Sequence, residues 1–211
     1  MKITIIYDNT LFKEELKADW GFSALVEVND LKILFDTGAD GNILLSNMEK
    51  LGIDANVINE VFISHGHFDH LGGLSAFLSE NNDVDIFIPP SVHGVKKGRV
   101  TKVEEATELH RGIYSTGQLE GIEQSLCVET EKGIVVIAGC SHPSMKNILN
   151  RASQFGKVYG IIGGLHDSKP EALKDLQLIV ATHCTQRKAE IKKLYPEAYV
   201  EGGAGQVIEV E

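Results

Sequence analysis

Cysteine is scarce in this 211-residue chain: Cys127, Cys140 and Cys184 are the whole complement. An odd number without framework spacing excludes a disulfide scaffold and reads as free thiols in a reducing compartment. Long apolar runs are missing too. No stretch approaches a membrane span. The opening Met1–Asp8 segment, strand-like but interrupted by polar residues, lacks the apolar length and cleavage site of a secretory signal. The cytoplasm is therefore the expected location. Positive charge is in deficit, with a formal net charge of -10. That balance excludes a general nucleic-acid binder, which needs a positive field to displace counterions, and it disfavours an anionic membrane surface. Two divalent ions would bring the charge to about -6, and a local basic site for an anionic substrate stays open. No low-complexity tract or Pro/Ser-rich linker divides the chain, so one domain over residues 1–211 is expected.

What is present is ordinary for a globular protein, 43% hydrophobic and 24% charged, at a length that can bury a sizeable core. β-Branched runs predict strands at Ile3–Tyr7, Ser23–Val28, Lys32–Phe35, Glu60–Ile63, Asp85–Ile88, Gln124–Glu129, Ile134–Ala138, Lys157–Ile162, Leu178–Ala181 and Gln206–Val210. Helical spacing predicts helices near Asn42–Leu51, Leu71–Leu78, Ser144–Gln154, Glu171–Leu176 and Gln186–Leu194. Asn29-Asp30 between two strands suits a tight hairpin turn. The class is layered α/β, and the early hairpin excludes a purely parallel doubly wound sheet. Pro89–Gly121 is the least regular segment, and a long loop in a compact domain is often functional.

The chemistry concentrates in His65-Gly66-His67-Phe68-Asp69-His70. Val61–Ser64 reads as a buried strand and Leu71–Leu78 as a helix, so the run fills a strand-to-helix turn. In extended backbone His65 and His67 project to the same side and can converge on one ion. Asp69 and His70 fall where the chain turns and can aim at a second point. Three imidazoles and a carboxylate in six positions form a donor set suited to zinc or another first-row ion.

This run resembles the HxHxDH signature of metallo-β-lactamase-fold hydrolases. Leu34-Phe35-Asp36-Thr37-Gly38 is similar to that superfamily's strand-ending aspartate motif, and Gly139-Cys140-Ser141-His142-Pro143 and Thr182-His183-Cys184-Thr185 to its later histidine motifs. Tyr7–Thr10, Trp20–Ser23 and Gly163–His166 add a resemblance to one branch, the dihydropterin-methyl-ribofuranosylaminobenzene-phosphate synthase-like proteins. The resemblance implies a four-layer αββα sandwich with a metal site at one edge. It implies that His65, His67 and His142 hold one ion and that Asp69, His70 and His183 hold a second, zinc foremost, with manganese or iron as alternatives. Asp36 would orient a ligand histidine rather than bind metal, the alternative being a turn-capping aspartate.

One departure stands out. Dinuclear members place a bridging aspartate where this chain reads Gly163-Gly164-Leu165-His166-Asp167. The site is then mononuclear, or bridged by hydroxide alone, or served by Asp167 after a register shift. His166 is a site residue or part of a surface turn. Cys140 is a soft ligand or, as is commoner at strand ends, a small core residue. His93 and His110 lack ligand spacing and read as ordinary loop residues.

A divalent ion with an open position would make a metal-bound hydroxide nucleophile near neutral pH, with Asp69 and His166 the candidate catalytic groups. Lys96, Lys97 and Arg99 form a basic patch that would bind phosphate if the Pro89–Gly121 segment folds over the metals, and a solvated loop otherwise. The leading expectation is a hydrolase of a small phosphorylated or ester-like substrate, with a small molecule as its only expected partner class. Two others stand beside it. One is a transferase joining a pterin-methyl diphosphate to a ribofuranosylaminobenzene phosphate. The other is a metal-containing binding or sensor protein with little turnover.

Overall fold

A computed structural model describes all residues 1–211. The chain builds its first sheet from β1 (Lys2–Tyr7), β2 (Ser23–Val28), β3 (Leu31–Phe35), β4 (Glu60–Phe62), β5 (Asp85–Ile88) and β6 (Arg99–Lys102). It then crosses over and builds a second sheet from β7 (Thr107–His110), β8 (Ile113–Ser115), β9 (Leu126–Thr130), β10 (Gly133–Ala138), β11 (Val158–Gly164), β12 (Leu178–Thr182) and β13 (Tyr199–Glu201). The last strand, β14 (Val207–Glu209), returns to the first sheet beside β1. β1 to β3 run antiparallel, and β3 to β6 are parallel. In the second sheet β7 to β10 are antiparallel and β10 to β13 parallel. No helix is long and apolar enough to cross a membrane.

The period-2 pattern of the strands explains the layering. Ile3, Ile5, Ile33 and Phe35 face inward and meet Val135, Ile137, Ile162 and Val180 from the other sheet in one buried cluster. The alternate residues face outward. Leu34 and Val61 join Leu44, Met48, Leu74 and Phe77 beneath α1 (Gly41–Lys50) and α3 (Leu74–Glu80). Val136, Ala138 and Ile161 pack with Met145, Ile148 and Ile191 beneath α4 (Met145–Ala152) and α5 (Lys188–Leu194). Three apolar interfaces separate four layers, an αββα sandwich.

Several expectations need correction. Pro89–Gly121 is not irregular: it forms β6, β7 and β8 and carries the chain from an edge of one sheet to an edge of the other. Its first turns do reach the histidine run, since Val92 lies 3.5 Å from where a Cβ on Gly66 would stand. The helix expected at Leu71–Leu78 is split into the short α2 (Phe68–Leu71) and α3 by Gly72-Gly73. A Cβ on either glycine would lie 2.2 Å from a carbonyl oxygen, of Ala39 or Thr37, so the backbone after β3 packs directly on this break. Glu171–Leu176 yields only a 3-10 turn at Pro170–Leu173. His110 is no ordinary loop residue. From β7 its Nε2 reaches Glu60 Oε1 of β4 at 2.5 Å, a polar link between the sheets. The Asn29-Asp30 turn forms as expected, both residues at positive φ (49° and 66°) between β2 and β3.

Candidate metal centre

Every histidine of the cluster follows the C-terminal end of a parallel strand. Asp36 ends β3, His65 follows β4, Cys140 and His142 follow β10, His166 follows β11, and His183 follows β12. Parallel strands end in register, so residues distant in sequence arrive at one edge of the sandwich. Asp36, Ser141, His166 and His183 all hold positive φ, 45° to 59°, as the chain leaves its strand sharply. Backbone conformations of this kind in non-glycine residues persist only where surroundings enforce them.

The rings stand close. His65 Nε2 is 3.1 Å from His67 Nδ1. The His142 ring centroid lies 4.8 Å from that of His65 and 4.7 Å from that of His67. His70 lies 4.2 Å from His65 and 4.9 Å from His183. Asp69 Oδ2 sits 3.2 Å from His183 Nε2 and 3.8 Å from His70 Nε2.

Hydrogen bonds outside the cluster decide which ring nitrogens face inward. His70 Nδ1 lies 2.7 Å from Asp36 Oδ2, an acceptor when ionised, so His70 donates there and leaves Nε2 bare. Ser64 donates its hydroxyl to the same Asp36 oxygen at 2.7 Å. Its own oxygen is then free to accept from His65 Nδ1 at 2.9 Å, which bares His65 Nε2. Asn9 Oδ1 plays the same part for His183 Nδ1 at 2.9 Å. The Nε2 atoms of His142 and His183 are buried without a hydrogen-bond partner, the contact of His183 with Asp69 lacking hydrogen-bond geometry. Buried polar atoms left open in this way are rare unless a ligand completes them. The donor set fits divalent ions.

The electrostatics agree with that fit. Burial, then the neighbouring imidazoles, push His65 far below its ordinary value and His142 to about 4. Burial likewise depresses His70. All three are neutral at physiological pH, the form that ligates metal. Burial raises the Asp36 carboxyl, opposed by its two hydrogen bonds from Ser64. Burial also acts to raise Asp69, but the contact with His183 and the nearby His70 ring outweigh it and hold the carboxyl below the usual range.

Several groups at the centre carried no role in the sequence reading. Trp20 Nε1 donates to Asp69 Oδ2 at 2.8 Å, and its ring, 52% exposed, stands 5.1 Å from that of His183. Asp8 Oδ1 accepts from the His183 backbone N–H at 2.6 Å. Glu123 is wholly buried beneath the turn after β10. Its Oε1 accepts from the N–H groups of Gly139, Cys140 and Ser141 at 3.0, 3.0 and 3.1 Å, and its Oε2 from that of His142 at 2.9 Å. Burial moves this carboxyl up to about 7. Cys140 is more than core filling: its Sγ lies 3.1 Å from His70 Nε2, and contact with Cys184 and burial keep its thiol well above the usual range.

Other expected site residues lie apart. His166 is on the rim, its side chain 40% exposed and its ring 5.3 Å from that of His142. Arg99 does not join the site. It begins β6 opposite Asp85, level with Glu60 at the start of β4, and bonds Asp85 Oδ1 at 2.7 Å and Asp83 Oδ1 at 2.5 Å. The histidines follow the other ends of these parallel strands. Lys96 and Lys97 line a cavity with Leu71, Leu74 and Leu78, and none of the clustered histidines borders it.

The profile of the metallo-beta-lactamase superfamily matches residues 21–183. The chain belongs to that superfamily. Members of this fold usually bind divalent metals, in keeping with the cluster above. Among relatives, the 7,8-dihydropterin-6-methyl-4-(beta-D-ribofuranosyl)-aminobenzene-5'-phosphate synthase of Methanocaldococcus jannaschii is 28% identical over 278 aligned positions, covering 97% of this chain and 95% of its own. Among solved structures, Tm1679, described as a metal-dependent hydrolase of the beta-lactamase superfamily, superposes with a TM-score of 0.80 at 27% identity, covering 100% of this chain and 99% of its own. A diphosphatase of the PhnP family shares the fold at a TM-score of 0.67 and 14% identity, covering 100% and 98%.

Proposed function

We propose that the protein is a metal-dependent hydrolase of a small phosphorylated or ester-like substrate. The observation that carries this reading is the convergence of five imidazoles and the Asp69 carboxylate at one sheet edge, with the Nε2 atoms of His142 and His183 buried and unpartnered. His65, His67 and His142 would hold one divalent ion and Asp69, His70 and His183 a second, with zinc the leading candidate and manganese or iron the others. An ion of this kind, when bound, supplies a nucleophile near neutral pH and polarises a carbonyl or phosphoryl oxygen.

The chain's own residues do the remaining work. Asp36, Ser64 and Asn9 keep protons on the outer nitrogens of His70, His65 and His183, so the inner nitrogens stay free to bind. Asp69, steadied by Trp20, presents an ionised oxygen that can accept a proton from the attacking group. His166, half-exposed beside His142, is placed to exchange a proton with the leaving group. Elemental analysis should find divalent metal in the purified protein. A panel of phosphate and carboxylate esters should give turnover that falls by at least about 100-fold in His67→Ala, the upper end of what lost metal-site contacts cost. A metal-free protein, or turnover indifferent to that substitution, overturns the proposal.

Transfer chemistry is the second reading, favoured by the archaeal synthase that aligns along 97% of the chain. That alignment is longer than this chain, so the relative carries inserted segments absent here, and hydrolysis stays the leading reading. Product analysis with a pterin-methyl diphosphate and a ribofuranosylaminobenzene phosphate separates the two: a coupled adduct supports transfer, consumption of one substrate by water supports hydrolysis.

A further inference from the structure

We propose that Cys140 is a metal ligand common to both donor sets, its Sγ serving the two ion positions at once. The inference rests on the metal-centre reading above and deepens it. Two groups of donor atoms are each mutually within 4.8 Å: His65, Cys140 and His142, and His70, Cys140 and His183. Cys140 is the one residue in both. Its Sγ faces His70 Nε2 at 3.1 Å, and that nitrogen is the bare one, because His70 Nδ1 donates to Asp36. The sulfur and a bare ligand nitrogen therefore face one another, as two donors to one ion would. The Nε2 atoms of His142 and His183, one from each group, are buried and open.

The position is built, not incidental. Glu123 gathers four consecutive backbone N–H groups, from Gly139 to His142, and so fixes the turn that carries both Cys140 and His142. Ser141 takes a left-handed conformation, φ 59°, between them. Gly139 brings the turn against the first sheet: a Cβ there would lie 2.1 Å from Ser64 Oγ. Cys127 makes the contrast, a buried thiol in the apolar outer core of the second sheet with no ligand-bearing neighbour in either group. His166, the other residue expected near this point, is half-exposed and lies outside both groups.

The chemistry suits the place. A thiolate is a soft donor for first-row ions and has lone pairs enough for two. It also adds a negative charge beside Asp69, offsetting part of the charge of two divalent ions in a buried site. On loading, the S–H bond breaks, sulfur–metal bonds form, and the proton leaves to solvent.

The test uses the full chain stripped of metal and titrated with cobalt(II). A thiolate-to-cobalt charge-transfer band should rise in the near ultraviolet in the wild type and in Cys184→Ser. It should be absent in Cys140→Ser, with cobalt affinity weakened beyond the about 10- to 100-fold that loss of an outer hydrogen-bond partner costs. Cys140→Asp should restore ion stoichiometry without the band. Cobalt bound by the wild type without the band, or a band lost in Cys184→Ser, overturns the inference while leaving the metal centre intact. If the Cys140 variants do not fold, these two readings still decide. Failure of the wild type to bind cobalt or zinc overturns the metal centre and the inference together.

Discussion

At the residue scale, the centre is governed by where single protons sit on imidazole rings. A ring that donates from Nδ1 must offer a bare Nε2, and Asp36 enforces this on His70 with an oxygen that can only accept when ionised. Asp36→Asn reverses the rule. Its amide would have to satisfy the Ser64 N–H, the Ser64 hydroxyl and His70 with one oxygen and one NH2 group. An NH2 facing His70 Nδ1 would move the ring proton to Nε2, into the ion's place. Zinc affinity in this variant, measured by chelator competition, should fall about 10- to 100-fold. Equal affinity in wild type and variant would show that the ring proton is set elsewhere.

At the scale of elements, the site is a product of how strands end. The strand-to-turn unit from Glu60 to His70 was legible in the sequence because its signals are local, a β-branched strand and donors at alternating spacing. The four-layer fold and the roles of His142 and His183 came through resemblance, because spacing alone says nothing about which strands end side by side. β6, β7, β8 and β13 escaped notice for physical reasons: β6, β7 and β13 carry exposed or half-buried residues without alternation, and β8 is only three residues long. Glu123, Ser64 and Asn9 act through hydrogen bonds to residues far along the chain, and such bonds leave no periodic trace. Arg99 looked like an anion binder because its two carboxylate partners are visible only once β5 and β6 are paired. The turn after β10 is the element with least room. Gly139→Ala would press a methyl group onto Ser64 Oγ and disturb the Ser64–Asp36 bond. We expect a loss of about 1–3 kcal/mol in chemical denaturation, as for other overpacked sites, together with weaker metal binding. Full stability and affinity in this variant would mean that Ser64 can yield.

At the scale of the whole molecule, the two sheets are joined at opposite ends by different chemistry. The His110–Glu60 contact links the end of β7 to the start of β4, and the histidine cluster joins residues of both sheets beyond the other end of β4. A bound ion would tie the sheets together, so chelation should destabilise the protein as a whole. Free zinc at 100 times its Kd contributes about 2.7 kcal/mol. For a chain of this size that is a rise in Tm of about 5–10 °C over the stripped protein, and His65→Ala should abolish most of it in a thermal melt. An identical Tm with and without zinc would argue against a bond between the sheets.

The division of the ligands between the sheets has a kinetic consequence. His65, His67, Asp69 and His70 can come together as soon as β4 and the turn after it form, but His142 and His183 join them only when the second sheet docks face to face on the first. A coordination sphere built from both sets would therefore depend on contacts between residues far apart in the chain, which loop closure must precede. Metal capture would then act as a checkpoint on assembly: a half-docked chain would offer a weak, open site, and only the finished sandwich would hold ions tightly.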